Sequence, residues 1–332
     1  MRAMFLPHGF ATALAMTIVS TLCWGSWANT YKATRGYRFE LFYWDYAIGI
    51  VVVSLVWALT LGSLSIGGGG GETFAANVAA ADRADIVWAL VGGVIFNAAN
   101  LLLVAGIDIA GLSIAFPVAI GIALVVGVVL SYAIQPRGNP MVLAVGVGLA
   151  LVAVVFDGRA YAALGGGARA SRKAIVVCVV SGLLMGSFAP FVTRAMTGGH
   201  ALGPYSVAVF FTIGALLSCF VVNVYFMRHP LVGEPVAFGG FAAARPLDHA
   251  MGVIGGCIWG TGTVFNFVAA SFVGVAISYA IGQAAPMVAA LWGVAVWREF
   301  RGAPPRAWAY VAAMFVCYLA ALAVIAGAYG SA

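Results

Sequence analysis

Apolar positions in this chain neither alternate nor form a single helical stripe. They run on continuously, with polar residues gathered in short patches between the runs. A soluble amphipathic helix shows one apolar face, whereas a helix that crosses a hydrocarbon core of roughly 30 Å needs about 20 consecutive apolar residues. Reading each run to its nearest charged or turn-forming residue predicts ten spans, at 9–31, 42–64, 85–106, 110–134, 139–157, 173–195, 203–227, 250–270, 273–297 and 306–328. The links around Ile107-Asp108-Ile109 and Phe272-Val273 are so short that helix 3 with helix 4, and helix 8 with helix 9, are expected to be antiparallel hairpin neighbours. The first run is longer than the 7–15 residues of a signal-peptide core and ends in Trp24 and Trp27, so it is read as a retained span.

Within this pattern the first half of the chain recurs in the second. Val19 to Ala28 aligns with Val180 to Ala189 at an offset of 161, with six of ten positions identical. Gly93-Val94-Ile95-Phe96 matches Gly256-Cys257-Ile258-Trp259 at an offset of 163, which also pairs Gly111 with Gly274, Ile114 with Ile277 and Phe116 with Tyr279. Five spans per copy is an odd number, so the second copy would enter the membrane from the opposite side. The expected fold class is an all-α membrane protein of ten transmembrane helices in two inverted five-helix repeats. Its expected units are 1–157, a cytoplasmic linker 158–172, and 173–332. Inverted repeats are a recurring plan in secondary transporters, which alternate their opening around a midplane site.

Composition agrees with a lipid solvent: 64% of residues are hydrophobic and 8% charged, against about 45–50% and 25% in soluble domains. No connection is long enough for a separate soluble domain, so any site must be built from the spans. The net charge of +6 does not mark a nucleic-acid partner, because the cations form no basic face interleaved with aromatics. They sort by topology instead. Lys32, Arg35, Arg38, Arg159, Arg169, Arg172, Lys173, Arg228, Arg245, Arg298, Arg301 and Arg306 fall on one set of loops, and Arg2, Arg83, Arg137 and Arg194 on the other. The positive-inside rule then places both termini outside the cytoplasm of a bacterial inner membrane. Cys23, Cys178, Cys219, Cys257 and Cys317 lie in five different spans and read as small apolar residues. His8, His200, His229 and His249 make no metal-ligand pattern, and neither a metal nor a cofactor is expected.

Several short motifs in order carry a family resemblance: Gly25-Ser26-Trp27-Ala28, a basic turn and Trp44-Asp45-Tyr46; Leu59-Thr60-Leu61-Gly62; Gly92-Gly93-Val94 with Asn100-Leu101; Tyr205 to Tyr225; and Leu291-Trp292-Gly293 followed by Glu299-Phe300-Arg301. On these the chain resembles the drug/metabolite transporter superfamily. Within it the similarity is to the plant ureide permeases and their bacterial relatives, which neighbour the glucose/rhamnose porters. The resemblance implies a transporter rather than an enzyme. It implies uptake of a small, polar, uncharged solute such as allantoin, a nucleobase-like compound or a sugar, with a proton as partner. The plant members' long central loop with its nucleotide-binding-like motif has no counterpart in 158–172. Gly165-Gly166-Gly167 and Gly67 to Gly71 lack the Lys-Ser/Thr of a P-loop and read as linkers.

Polar side chains inside spans are costly unless they face a partner or a wet cavity. Asn97 and Asn100 share a face of helix 3, Thr263 and Asn266 share one of helix 8, and Tyr279 and Gln283 one of helix 9. The resemblance implies that helices 3, 4, 8 and 9 line the cavity. Trp24, Phe116, Trp259 and Tyr279 could stack on a flat ring, while the amides and hydroxyls bond its edge; the bland alternative is that they bond helix to helix. Gly25, Gly186, Gly92, Gly93, Gly255 and Gly256 are read as close-packing positions, and Pro117, Pro190 and Pro286 as interruptions that act as hinges or free carbonyls. For proton coupling no Asp, Glu or His lies clearly mid-span. Asp45 is the coupling candidate, with the alternative of a helix-start residue paired with Lys32, Arg35 and Arg38. Asp108 is read into the outer hairpin turn and Glu299 at the cytoplasmic exit of helix 9. Gly146-Val147-Gly148 and Ala320-Ala321 offer small-residue surfaces for a homodimer in membrane lipid. A drug or amino-acid exporter, facilitated diffusion and, more remotely, a channel or a membrane-embedded enzyme stay open.

Overall fold

The computed structural model describes residues 4–63, 72–165 and 171–330, apart from the side chains of Leu112, Ser113 and Phe116. Most of both glycine runs read as linkers lies outside the described residues. Ten helices are long and apolar enough to cross a membrane: α1 Phe10–Lys32, α2 Phe39–Leu59, α3 Arg83–Ala110, α4 Pro117–Ile134, α5 Pro140–Ala163, α6 Arg172–Ala195, α7 Pro204–Arg228, α8 Pro246–Val273, α9 Val275–Ala295 and α10 Pro305–Tyr329. The all-helical, ten-span expectation is met, with ends displaced by up to seven residues. Helix starts explain part of the displacement. Asn139 accepts from the amides of Met141 and Val142 with Pro140 in the first turn, and the Ser171 hydroxyl accepts from the Ala174 amide. Each cap supplies an acceptor to otherwise unpaired first-turn donors.

Among the described residues, α3 packs against α6 and α7, and α8 against α1 and α2; α4 leans on α6 and α9, and α5 on α10. Several contacts depend on glycine. A Cβ on Gly25 would stand 2.5 Å from the Ala285 carbonyl oxygen on α9, and one on Gly186 2.9 Å from the Ala123 carbonyl oxygen on α4. Gly93 meets Phe211 and Ala215 of α7, while Gly256 meets Tyr46 and Ile50 of α2. The close-packing role read for these glycines therefore holds.

The hairpin expectation holds for α8 and α9, which pack on each other beyond their turn, and needs correction for α3 and α4. Helix α3 continues through Asp108 to Ala110 and is stopped by Gly111 (φ 70°, ψ 167°), whose amide donates to the Ile107 carbonyl. Helix α8 stops in the same way at Gly274 (φ 89°, ψ 152°), with its amide on Ala270. That backbone conformation favours glycine. Beyond Gly111, α3 and α4 touch only around the turn and then part, because α4 turns to α6 and α9. Two of the three proline interruptions are present: a π-helical turn over Phe116–Ile120 carries Pro117, and α9 is broken at Gln283 and Ala284 just before Pro286. Pro190 instead sits inside the continuous helix α6.

The cationic loops meet on one face. Arg38 donates to the carbonyls of Val232 and Glu234, Lys173 to that of Leu231, and Lys32 pairs with Glu299. Asp108 is on this basic face, in a hollow shared with Arg38 and Glu40, and not in an outer turn; an odd number of spans precedes that turn, which returns the chain to the basic side. The small-residue surfaces read as a homodimer contact are partly used within the chain, where Gly146 lies against Ile325 and Ala321.

Candidate functional site

A cavity of about 350 Å³ opens between the helices. Its deep end is aromatic. Trp259 stacks on Phe96 with ring centroids 4.3 Å apart at 23°, and Trp24 lies over Trp259 at 6.0 Å and 18°. Phe188 and Met185 of α6 complete this end, and the walls rise past Asn100, Gln283 and Pro286 to Lys32, Asp108, Tyr161, Trp297 and Glu299 at the basic face. At that mouth Lys32 pairs with Glu299 and lies 4.5 Å from the centre of the Trp297 ring. The Tyr161 hydroxyl donates to Glu299 Oε2 at 3.2 Å. Glu299 lines the mouth and follows Arg298, a non-glycine residue at φ 54°. A hollow of about 400 Å³ on the opposite face, lined by loop residues such as Glu72, Asn77, Arg137 and His200, is larger. The helix-lined cavity is the better site, since small-molecule sites are mostly apolar with a few placed polar groups.

The predicted site residues divide. Trp24, Asn100, Trp259 and Gln283 line the cavity together. Gln283 is brought there by the break in α9, and among the described residues its side-chain amide has no hydrogen-bond partner. The Asn100 amide nitrogen is 3.5 Å from the Tyr43 hydroxyl, a weak bond that leaves its oxygen open.

The remaining candidates do not reach the cavity wall. Asn97 donates to Ser218 Oγ on α7 at 2.6 Å. Asn266 donates to the Ser278 carbonyl at 2.9 Å, tying α8 to α9. The Tyr279 hydroxyl lies 3.3 Å from the Met185 carbonyl and 3.4 Å from that of Ala123, and its ring packs on Phe188. Thr263 accepts from Trp24 Nε1 at 3.1 Å while its own hydroxyl donates to the Trp259 backbone carbonyl one turn back, so it orients the Trp24 indole. Helix-to-helix bonding is thus the role of Asn97, Asn266 and Tyr279, and Thr263 acts behind the aromatic wall. The side chain of Phe116 lies outside the described residues.

Asp45 is buried away from the cavity. Its Oδ2 accepts from the Tyr37 hydroxyl at 3.0 Å and lies 2.8 Å from His249 Nδ1, which joins α2 to α8. Its partners are therefore Tyr37 and His249, and not the Lys32, Arg35 and Arg38 of the alternative reading. Burial, followed by the Asp45 charge, holds the Tyr37 hydroxyl above the usual tyrosine range, so it stays a donor.

Sequence reasoning missed Phe96, Phe188 and Met185, which carry no polar atom to mark them, and it missed the buried carboxyl of Asp157 within α5. The run Asp157-Gly158-Arg159 reads as a helix end. Helix α5 in fact continues to Ala163, and Asp157 is 1% exposed within it.

Comparison with known proteins follows this geometry. The family model described as "Ureide permease" matches residues 42–173 and 174–328. "Ureide permease 1" of Arabidopsis thaliana is 21% identical over 393 aligned residues, covering 98% of this chain and 99% of that protein. "Ureide permease 4" of the same plant is 20% identical over 399, with the same coverage. A solved crystal structure 17% identical to the chain shares its fold, with a TM-score of 0.64 over 95% of this chain and 96% of its own.

Proposed function

The chain belongs to the ureide permease family, whose members are membrane transporters and not enzymes, and on that premise we propose that it carries a small, polar, uncharged solute by alternating access, driven by protons. The solute class is a ureide or nucleobase-like ring, with a sugar as the neighbouring possibility. The observation that carries this reading is the juxtaposition of an aromatic floor with two unsaturated amides, Asn100 and Gln283, in one cavity. A flat heterocycle with carbonyl and N–H groups on its rim would stack on Trp259 or Trp24 and exchange hydrogen bonds with those amides. The cavity volume of about 350 Å³ suits a molecule of that size. Its acids lie beside cations, Glu299 against Lys32 and Asp108 near Arg38, which disfavours an exporter of cationic drugs.

Alternating access is supported by matched contacts in the two halves. Gly25 abuts Ala285 and Val288 as Gly186 abuts Ala123 and Val126; Gly93 abuts Phe211 and Ala215 as Gly256 abuts Tyr46 and Ile50. With the like turns at Gly111 and Gly274, these favour two inverted five-helix repeats. The positive-inside rule would make the basic face cytoplasmic and the cavity inward-open, with both termini outside.

The test is thermal stabilisation of the purified protein, then uptake into proteoliposomes, against a panel of allantoin, purines, pyrimidines, neutral sugars and amino acids. A bound ligand raises stability by mass action. Ureide or nucleobase ligands should raise Tm and be accumulated along an imposed proton gradient. Stabilisation by sugars alone would move the solute class to sugars, and silence across the polar neutrals would overturn the reading.

A further inference from the structure

Asp157 is 1% exposed inside α5, six residues or about 9 Å from the end of that helix on the basic face. Among the described residues its Oδ2 has no hydrogen-bond partner, and neither has the buried hydroxyl of Tyr318 on α10, which lies within electrostatic reach of it. The elements packed on α5 are α10, α4 and α9. Helices α4 and α9 carry no Asp, Glu, Lys, Arg or His, and the cations on α5 and α10 themselves, Arg159 and Arg306, are exposed. An ionised carboxylate here would be a buried charge without a counter-ion, in a span, which strongly favours the protonated form. The carboxyl is not isolated from the cavity. Tyr161 is four residues on, along the same face of α5, within electrostatic reach of Asp157 and bonded to Glu299 at the cavity mouth.

We propose that Asp157 is the proton-carrying residue of this transporter, neutral beside Tyr318 in the inward-open arrangement and exchanging its proton with the cavity mouth along Tyr161 and Glu299. The coupling role rests on the transport reading given above; the proton-binding role does not. In each cycle Asp157 takes one proton from water on the opposite face when the cavity opens there and, in the inward-open arrangement, releases it to water at the mouth as it ionises; no other group changes its protonation. Asp45 fits this role less well, because its carboxylate already accepts from Tyr37 and faces His249.

Infrared difference spectroscopy on the full-length protein in liposomes reads the carboxyl directly. A protonated-carboxyl band present at neutral pH, absent in Asp157→Asn and lost as pH is raised, is the expected result. In Tyr161→Phe the band should persist, with its response to a pH jump slowed at least tenfold. Asp157→Asn should keep solute exchange between equal pools within about twofold while losing tenfold or more of the accumulation driven by a proton gradient. An identical band in wild type and Asp157→Asn, or undiminished gradient-driven accumulation in the variant, would overturn the proposal. Should Asp157→Asn not fold, the pH titration of the wild-type band still decides, since the absence of any protonated carboxyl at neutral pH refutes it. If the band behaves as expected but neither protein moves any solute, the transport reading fails and the proton site stands.

Discussion

Gly92 and Gly93 are adjacent, buried and of one chemistry, yet the packing of α3 assigns opposite outcomes to replacing them with alanine. A Cβ at Gly93 would sit 1.8 Å from the Phe211 carbonyl oxygen and 2.8 Å from the Ala215 amide nitrogen, both backbone atoms of α7. To restore the roughly 3.5 Å of an ordinary non-bonded contact, α7 would have to retreat by about 1.7 Å. Overpacking of this kind costs about 1–3 kcal/mol, and the upper end applies because no rotamer change relieves a backbone clash. At Gly92 the nearest atoms are Phe191 Cβ and Phe211 Cδ2, each at 3.4 Å. Alanine fits there, and its better helix propensity contributes about 0.8–1 kcal/mol at both sites alike. Gly92→Ala should therefore be neutral or slightly stabilising, and Gly93→Ala lower in unfolding free energy than Gly92→Ala by about 3 kcal/mol. Reversible unfolding in mixed detergent, followed by tryptophan fluorescence, measures the difference. The retreat of α7 also draws Phe211 away from Phe96 and Trp259, so transport should fall in Gly93→Ala even in the folded fraction. Equal stability of the two variants would refute the close-contact account of the α3–α7 crossing.

Gln283→Ala and Asn100→Ala should each raise KM for the transported solute by about tenfold, as loss of a charge-free hydrogen bond at a desolvated site would, with little change in Tm. Asn97→Ala should do the reverse, costing roughly 1 kcal/mol of stability through its bond to Ser218 while leaving KM within twofold. Thr263→Val keeps the side-chain volume but removes the acceptor of the Trp24 indole; KM should rise severalfold, and the tryptophan emission should shift as that indole loses its partner. His249→Phe strips one partner from buried Asp45 and should cost about 1–3 kcal/mol in unfolding measurements, with solute affinity in the folded protein unchanged because Asp45 is not in the cavity wall.

The spans were legible because lipid imposes one length and one composition on any helix that crosses it, whatever its neighbours. The ends were less so. At Asp157-Gly158-Arg159 three polar or flexible residues imitate a helix terminus, and only packing against α10 shows that the turn continues to Ala163. The site was half legible for a geometric reason. Asn97 and Asn100 are three residues apart, so their side chains diverge by about 60° around the axis of α3. That angle is enough to send Asn97 to Ser218 on α7 and Asn100 to the cavity, because α3 is wedged between the two.

A buried polar side chain in a span has two ways to meet its hydrogen-bonding demand: a neighbouring helix or a wet cavity. Periodicity shows which residues share a face but not which outlet that face meets. Thr263 and Asn266 met a neighbour, Gln283 met the cavity because α9 breaks at it, and Asp157 met neither. Among these residues Asp157 alone keeps an unanswered demand without lining the cavity, whose wall holds Tyr161 four residues on. For the proton-driven alternating access proposed above, that unanswered demand is a reason to look for the proton there.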